Sequence, residues 1–237
     1  MMGGIRKVFC LGAFAAALLA PSAHATLIYK NNFDSPVFVG GGASASFAAG
    51  AGGVVSSSAP YVGTYGNFFR SSSNSVFTAL TLSGLPTHTG VDIGFLLAFL
   101  DSWDSRDGSC CAPDNVDLYI DGIKVADYTY NNALGSIKDI GGGTLIAEYV
   151  QFDGNTFYSD TIADLSSDPG LAFAHTGSTL TIGFIASGGG WQGGNDEAWG
   201  FDNLQVDLQG VTVPETSTYL LLLAGMAAAA MARRRRS

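Results

Sequence analysis

VDLYIDGIKVADYTY, residues 116–130, decides the fold class. Val116, Leu118 and Ile120 share one face of an extended chain, because side chains along a strand alternate with a period of two. Asp121-Gly122 supplies a two-residue turn, since both residues tolerate positive φ, and Ile123 to Tyr128 runs back. The stretch predicts a β-hairpin.

The same pattern continues on both sides. Val91 to Leu100 (VDIGFLLAFL) is the most apolar run between the two ends of the chain. It is too short to cross a bilayer and has little polar edge, so it predicts a central strand buried on both faces. Val76 to Leu82 alternates Val76, Thr78, Leu80 and Leu82 against Phe77, Ala79 and Thr81. Thr26 to Phe33 reads as an opening strand and Trp199 to Leu208 as a closing one. Leu145 to Phe152 and Thr156 to Ile162 flank the turn residues Asp153-Gly154-Asn155, and Leu171 to His175 with Thr179 to Ser187 reads as a further pair. Val39 to Ala59, rich in Gly, Ala and Ser, is either a loop or a weakly packed strand pair. Roughly nine or ten strands without an internal repeat predict an all-β, single jelly-roll-like β-sandwich.

Composition agrees. Removing the two ends leaves residues 26 to 213, enough for one domain with a real core. That body holds five basic residues, Lys30, Arg70, Arg106, Lys124 and Lys138, against nineteen acidic ones, a net charge of −14. Such a surface repels nucleic acid and anionic lipid, and suits divalent cations.

The densest acidic stretch is Asp101, Asp104, Asp107, Asp114 and Asp117. Calcium takes six to eight oxygen ligands from carboxylates and carbonyls on flexible loops. The stretch is thus either a calcium site or a solvated loop between strands; its spacing is not that of an EF-hand. Trp103, Trp191 and Trp199 lie beside glycines or carboxylates rather than inside apolar runs. For Trp103 and Trp199 the expectation is that they staple loops to the sandwich edge. Trp191, between Gly188-Gly189-Gly190 and Gly193-Gly194, is the candidate sugar platform. Cys110 and Cys111 admit a strained vicinal disulfide, unpaired thiols, or bonds to another molecule. No nucleophile elbow, zinc-protease motif or phosphate-binding glycine loop is present in the sequence.

Both ends carry export chemistry. Arg6 and Lys7, the apolar Val8 to Ala20 and the small-x-small Ala23-His24-Ala25 form a secretory signal, residues 1–25, which predicts an N-terminal helix cut after Ala25. The last segment, 213–237, runs Val213-Pro214-Glu215-Thr216-Ser217-Thr218, then the apolar Tyr219 to Ala232, then Arg233, Arg234, Arg235 and Arg236. Its arginines favour the cytoplasmic side of a membrane. Its apolar helix, about 21 Å at ~1.5 Å per residue, falls short of a hydrocarbon core of about 30 Å.

This tail resembles the PEP-CTERM sorting signal of exported bacterial proteins, although Thr216 stands where that family usually has a second proline. The resemblance implies export by the Sec machinery, a transient hold in the inner membrane of a Gram-negative bacterium, and processing by an exosortase. It further implies delivery to the cell surface or exopolysaccharide matrix. The body, residues 26–212, is similar to secreted jelly-roll and concanavalin-like domains. The likeness rests on Phe33-Asp34, Asp101-Ser102-Trp103-Asp104, Val116-Asp117, Asp121-Gly122 and Asp196 to Asn203, ending in Asp202 to Val206. In such domains the first and last strands lie side by side, which implies a second calcium position joining Asp34 to Asp202 and Asn203. The expected function is a non-catalytic matrix or surface protein that binds polysaccharide and carries structural calcium. The rival is a secreted glycan hydrolase or lyase using aspartates, and a third reading is a self-assembling coat protein.

Overall fold

The computed structural model describes residues 24–58, 65–107, 111–132, 137–155, 158–211 and 225–226. One compact unit runs from Ala23 to Thr212. The segments expected to form a signal helix (1–25) and a sorting tail (213–237) lie outside the described residues, apart from His24 and Ala25, which open the first strand, and the helical pair Gly225 and Met226. Among the described residues no helix is long and apolar enough to cross a membrane.

The unit is all-β. Its strands are β1 (His24–Asn31), β2 (Phe38–Val39), β3 (Ser44–Ala48), β4 (Gly53–Ser56), β5 (Asn67–Ser71), β6 (Thr78–Ser83), β7 (Gly90–Asp101), β8 (Asn115–Ile120), β9 (Ile123–Tyr128), β10 (Thr144–Val150), β11 (Asp160–Asp164), β12 (Ala172–Ala174), β13 (Thr179–Ser187) and β14 (Glu197–Val211). They form two antiparallel sheets. The larger runs β10-β11-β7-β14-β1-β2, with β12 added to β7, β5 to β14 and β4 to β5. The smaller runs β3-β6-β13-β8-β9.

β7 is central and buried on both faces for a visible reason. Val91, Ile93, Phe95, Leu97 and Phe99 point between the sheets into the main core. Leu96, Ala98 and Leu100 point the other way and meet Tyr65, Phe68, Phe152 and Ile162 in a second cluster on the sheet's outer face. The hairpin at 116–128 forms as expected. Val116, Leu118 and Ile120 are buried, and Asp121 and Gly122 take φ of 50° and 81°. In Val39 to Ala59 two strands form, but β3 and β4 belong to different sheets. The expected pairing of 171–175 with 179–187 does not occur: β12 adds to β7, while β13 lies between β6 and β8. Leu180, Ile182, Phe184 and Ala186 bury their side chains from the opposite sheet, so the chain crosses the sandwich between these strands instead of folding back. First and last strands are neighbours, with Asn31 opposite Leu204 and His24 opposite Val211.

Candidate cation site

The site is built at the end of β7, where the chain leaves the sheet. Asp101 and Ser105 take positive φ of 69° and 57°, so the four residues between and including Ser102 and Ser105 turn tightly. Trp103 fixes the turn. It is fully buried, its Nε1–H donates to the Ala198 carbonyl at 2.5 Å, and its ring meets Phe99 and Trp191 edge-on at 5.0 and 5.4 Å. It is the staple expected from sequence, whereas Trp199 is a core residue within β14, packed on Phe69, Phe184 and Phe201.

The turn presents Asp104 to Asp114. The Asp104 N–H donates to Asp114 Oδ2 at 2.8 Å, the Asp114 N–H donates to the Ser105 carbonyl at 2.9 Å, and Thr129 Oγ1–H donates to the Asp114 carbonyl at 2.5 Å. Glu197 enters from β14, whose first residue stands opposite Asp101 in the sheet register. Oxygens of Asp104, Asp114 and Glu197 all lie within 4.8 Å of one another.

Two of these oxygens decide what the cluster is for. Asp114 Oδ1 and Glu197 Oε1 are buried and accept no hydrogen bond from an N–H or hydroxyl group, the two carboxyls face each other closely enough to share a proton, and both residues are 0% exposed. An ionised carboxylate only accepts hydrogen bonds, so facing carboxylates need a proton or a cation between them. Among the described residues no lysine, arginine or histidine pairs with any of the three. Burial pushes the Glu197 carboxyl up to about 7, opposed by the Gln192 N–H and reinforced by Asp114. Burial likewise pushes Asp114 up to about 6, and raises Asp104, with the charge of Asp196 adding to it.

A second group stands beside the first and has a different solution. Asp101, Asp153 and Asp160 also converge, but here the chain supplies its own cation. Arg70 Nη2 lies 3.3 Å from Asp101 Oδ2 and its Nε 3.3 Å from Asp153 Oδ2. Asn155 Nδ2 donates to Asp101 Oδ1 at 2.6 Å, while Asp160 accepts the N–H groups of Asp101 and Phe152 at 3.1 and 2.8 Å.

The single acidic constellation expected over 101–117 is therefore divided. Asp104 and Asp114 join the open group, and Asp101 goes to Arg70. Asp107 accepts a bond from the Ser105 hydroxyl at 2.5 Å, and Asp117 pairs with Lys124 at 2.8 Å. The positive-φ turns at Asp101 and Ser105 send neighbouring carboxylates in different directions. Asp34 stands close enough to the buried Asp202 for its charge to raise that carboxyl, which burial first drives up to about 7. Asp34 itself accepts the Asn67 N–H at 2.9 Å, and among the described residues no third carboxylate joins the pair. Trp191 is half-buried: its Nε1–H donates to the Ser72 carbonyl at 3.2 Å and its ring leans on Trp103, so it is not a bare platform. Cys111 takes a φ of 62°, and Cys110 lies outside the described residues. Asp153 and Asn155 read from sequence only as turn residues, and Arg70 and Asp160 as nothing in particular, since the contacts of this group with Arg70 and Asp101 span 31 to 83 residues.

No family model and no curated protein sequence matches the chain. Among solved structures it is similar to a carbohydrate-binding module (CBM36) in complex with calcium and xylotriose, with 14% identity over 61% of this chain and 98% of that chain. The TM-score is 0.22, so loose a likeness that it decides nothing about the site.

Proposed function

We propose that this is an exported, non-catalytic, jelly-roll-like protein of the cell surface or exopolysaccharide matrix, stabilised by a bound calcium ion and able to bind glycan. The observation that carries the cation is the pair of buried, unpartnered oxygens on Asp114 and Glu197, with Asp104 beside them. Leaving one ionised carboxylate unpaired in a protein interior costs several kcal/mol, and three together repel. The donors are all hard oxygens, which suits calcium and offers nothing to softer metals. Asp104, Asp114 and Glu197 would hold the ion, which would supply the positive charge that Arg70 supplies to the neighbouring group.

The geometry weighs against the hydrolase reading. A glycosidase needs two carboxyl groups on either side of a bond that the substrate can bring to them. Asp114, Glu197, Asp101 and Asp160 are all 0% exposed. A polymeric substrate cannot reach oxygens so fully buried.

Calcium at ~100 times its Kd stabilises a fold by about 2.7 kcal/mol, roughly 5–10 °C in Tm for a domain of this size. Differential scanning fluorimetry of the full-length protein in mild detergent should show that loss on adding EGTA and its recovery with excess calcium. An unchanged Tm sinks the calcium reading. The sorting half of the proposal rests on the 213–237 tail alone. Mass spectrometry of the extracellular protein should find Arg233 to Arg236 removed; an intact tail argues against exosortase processing.

A further inference from the structure

Glu197 does two things at once. Its Oε1 belongs to the carboxylate cluster, while its Oε2 accepts the backbone N–H of Gln192. That bond holds the 188–195 loop. The loop is pressed onto the 111–113 segment so closely that a Cβ on Gly188 would stand 1.7 Å from the Pro113 carbonyl oxygen, and one on Gly190 2.1 Å from that of Cys111. The far end of the loop is a wall. The Asn195 carbonyl accepts from Asn155 Nδ2 at 2.8 Å and the Gly194 carbonyl from Arg70 Nη2 at 3.4 Å. Behind it lies a cleft of about 390 Å³ lined by Val55, Arg70, Asp153, Gly154, Asn155 and Asn195.

We propose that this cleft is the glycan site and that the cation at Asp104–Asp114–Glu197 holds its wall in place. The inference rests on the cation reading above and adds the binding residues, the ligand class and the control. The volume falls within the range of small-ligand pockets. Arg70 and Asp153 pair with each other in the lining, so the cleft presents a neutral polar rim beside the short apolar face of Val55, which suits the hydroxyls of an uncharged saccharide. The −14 charge of the body turns away uronates. Without the cation, repulsion inside the cluster turns Glu197 away from Gln192, and the wall at Gly194 and Asn195 loosens.

Isothermal titration with uncharged gluco-, xylo-, manno- and galacto-oligosaccharides, and with oligogalacturonate, tests this on the full-length protein. At least one uncharged oligosaccharide should bind in calcium and bind at least tenfold more weakly in EGTA. Asn195→Trp, at an exposed wall position, should abolish binding while keeping the calcium-induced rise in Tm. Glu197→Gln should bind the sugar equally with or without calcium. Its amide N–H donates to Asp114 in place of the ion, and its retained oxygen still accepts from Gln192. Undiminished binding in Asn195→Trp, binding of oligogalacturonate alone, or no binding by any of the sugars overturns the cleft. Equal affinity of the wild type in calcium and EGTA, with the Tm rise intact, overturns the clamp but leaves the cation. Loss of the Tm response itself overturns the cation reading on which both stand.

Discussion

At the scale of single residues, two glycines with nearly identical sequence surroundings have opposite duties. Gly190 lies against backbone: an added Cβ would meet the Cys111 carbonyl carbon and oxygen at 2.1 Å. Gly189 faces open space. Backbone cannot swing aside as a side chain can, so Gly190→Ala must lift the loop off the 111–113 segment, at about 1–3 kcal/mol. Thermal denaturation should show a clear fall in Tm and a smaller calcium-induced rise for Gly190→Ala, with Gly189→Ala close to wild type. Equal behaviour of the two variants would separate the loop from the cation. The three tryptophans show a similar division. Trp103 and Trp199 are core residues, and Trp191 is the half-buried link between Trp103 and Ser72, just past the end of β5.

At the scale of elements, strand identity was written locally and strand pairing only in part. The 116–128 hairpin is fully specified by alternation and by Asp121-Gly122, whose positive φ values need those residue types. The double burial of β7 was readable from its lack of a polar face, and the outer cluster around Phe68 and Phe152 explains it. The segment 171–187 was read as a hairpin because its two halves are near in sequence. No two-residue turn joins them, and each half finds its apolar partners in a different sheet. The two sheets also hold more strands than the nine or ten expected. A piece such as β2, two residues long, is too short to leave a periodic signal.

At the scale of the whole molecule, buried carboxylates set how the fold responds to pH. Burial, helped by Asp153 and Asp160, raises Asp101 to about 7 in spite of Arg70. Burial raises Asp160 to about 6 and, with Asp34, Asp202 to about 7. An unfolded aspartate titrates near about 3.9, so between that value and about 7 the folded protein holds more protons than the unfolded chain. Stability must then fall as pH rises through this window. In EGTA, the Tm should be higher at pH 5.5 than at pH 8; a Tm that climbs over the same interval contradicts these assignments.

The sequence by itself determined what depends on neighbours: the β character, the hairpin turn, the doubly buried strand and the acidic body. It also placed Asp104 and Asp114 in one stretch. Only the tertiary structure decided which carboxylates face one another. Glu197 reaches Asp104 and Asp114 through the register of β14 on β7, and Arg70 reaches Asp101 and Asp153 from β5. Carboxylates look alike in a sequence. Whether one is held by a guanidinium or left with a bare buried oxygen depends on charges brought together from distant strands, and that arrangement separates a closed ion pair from a cation site.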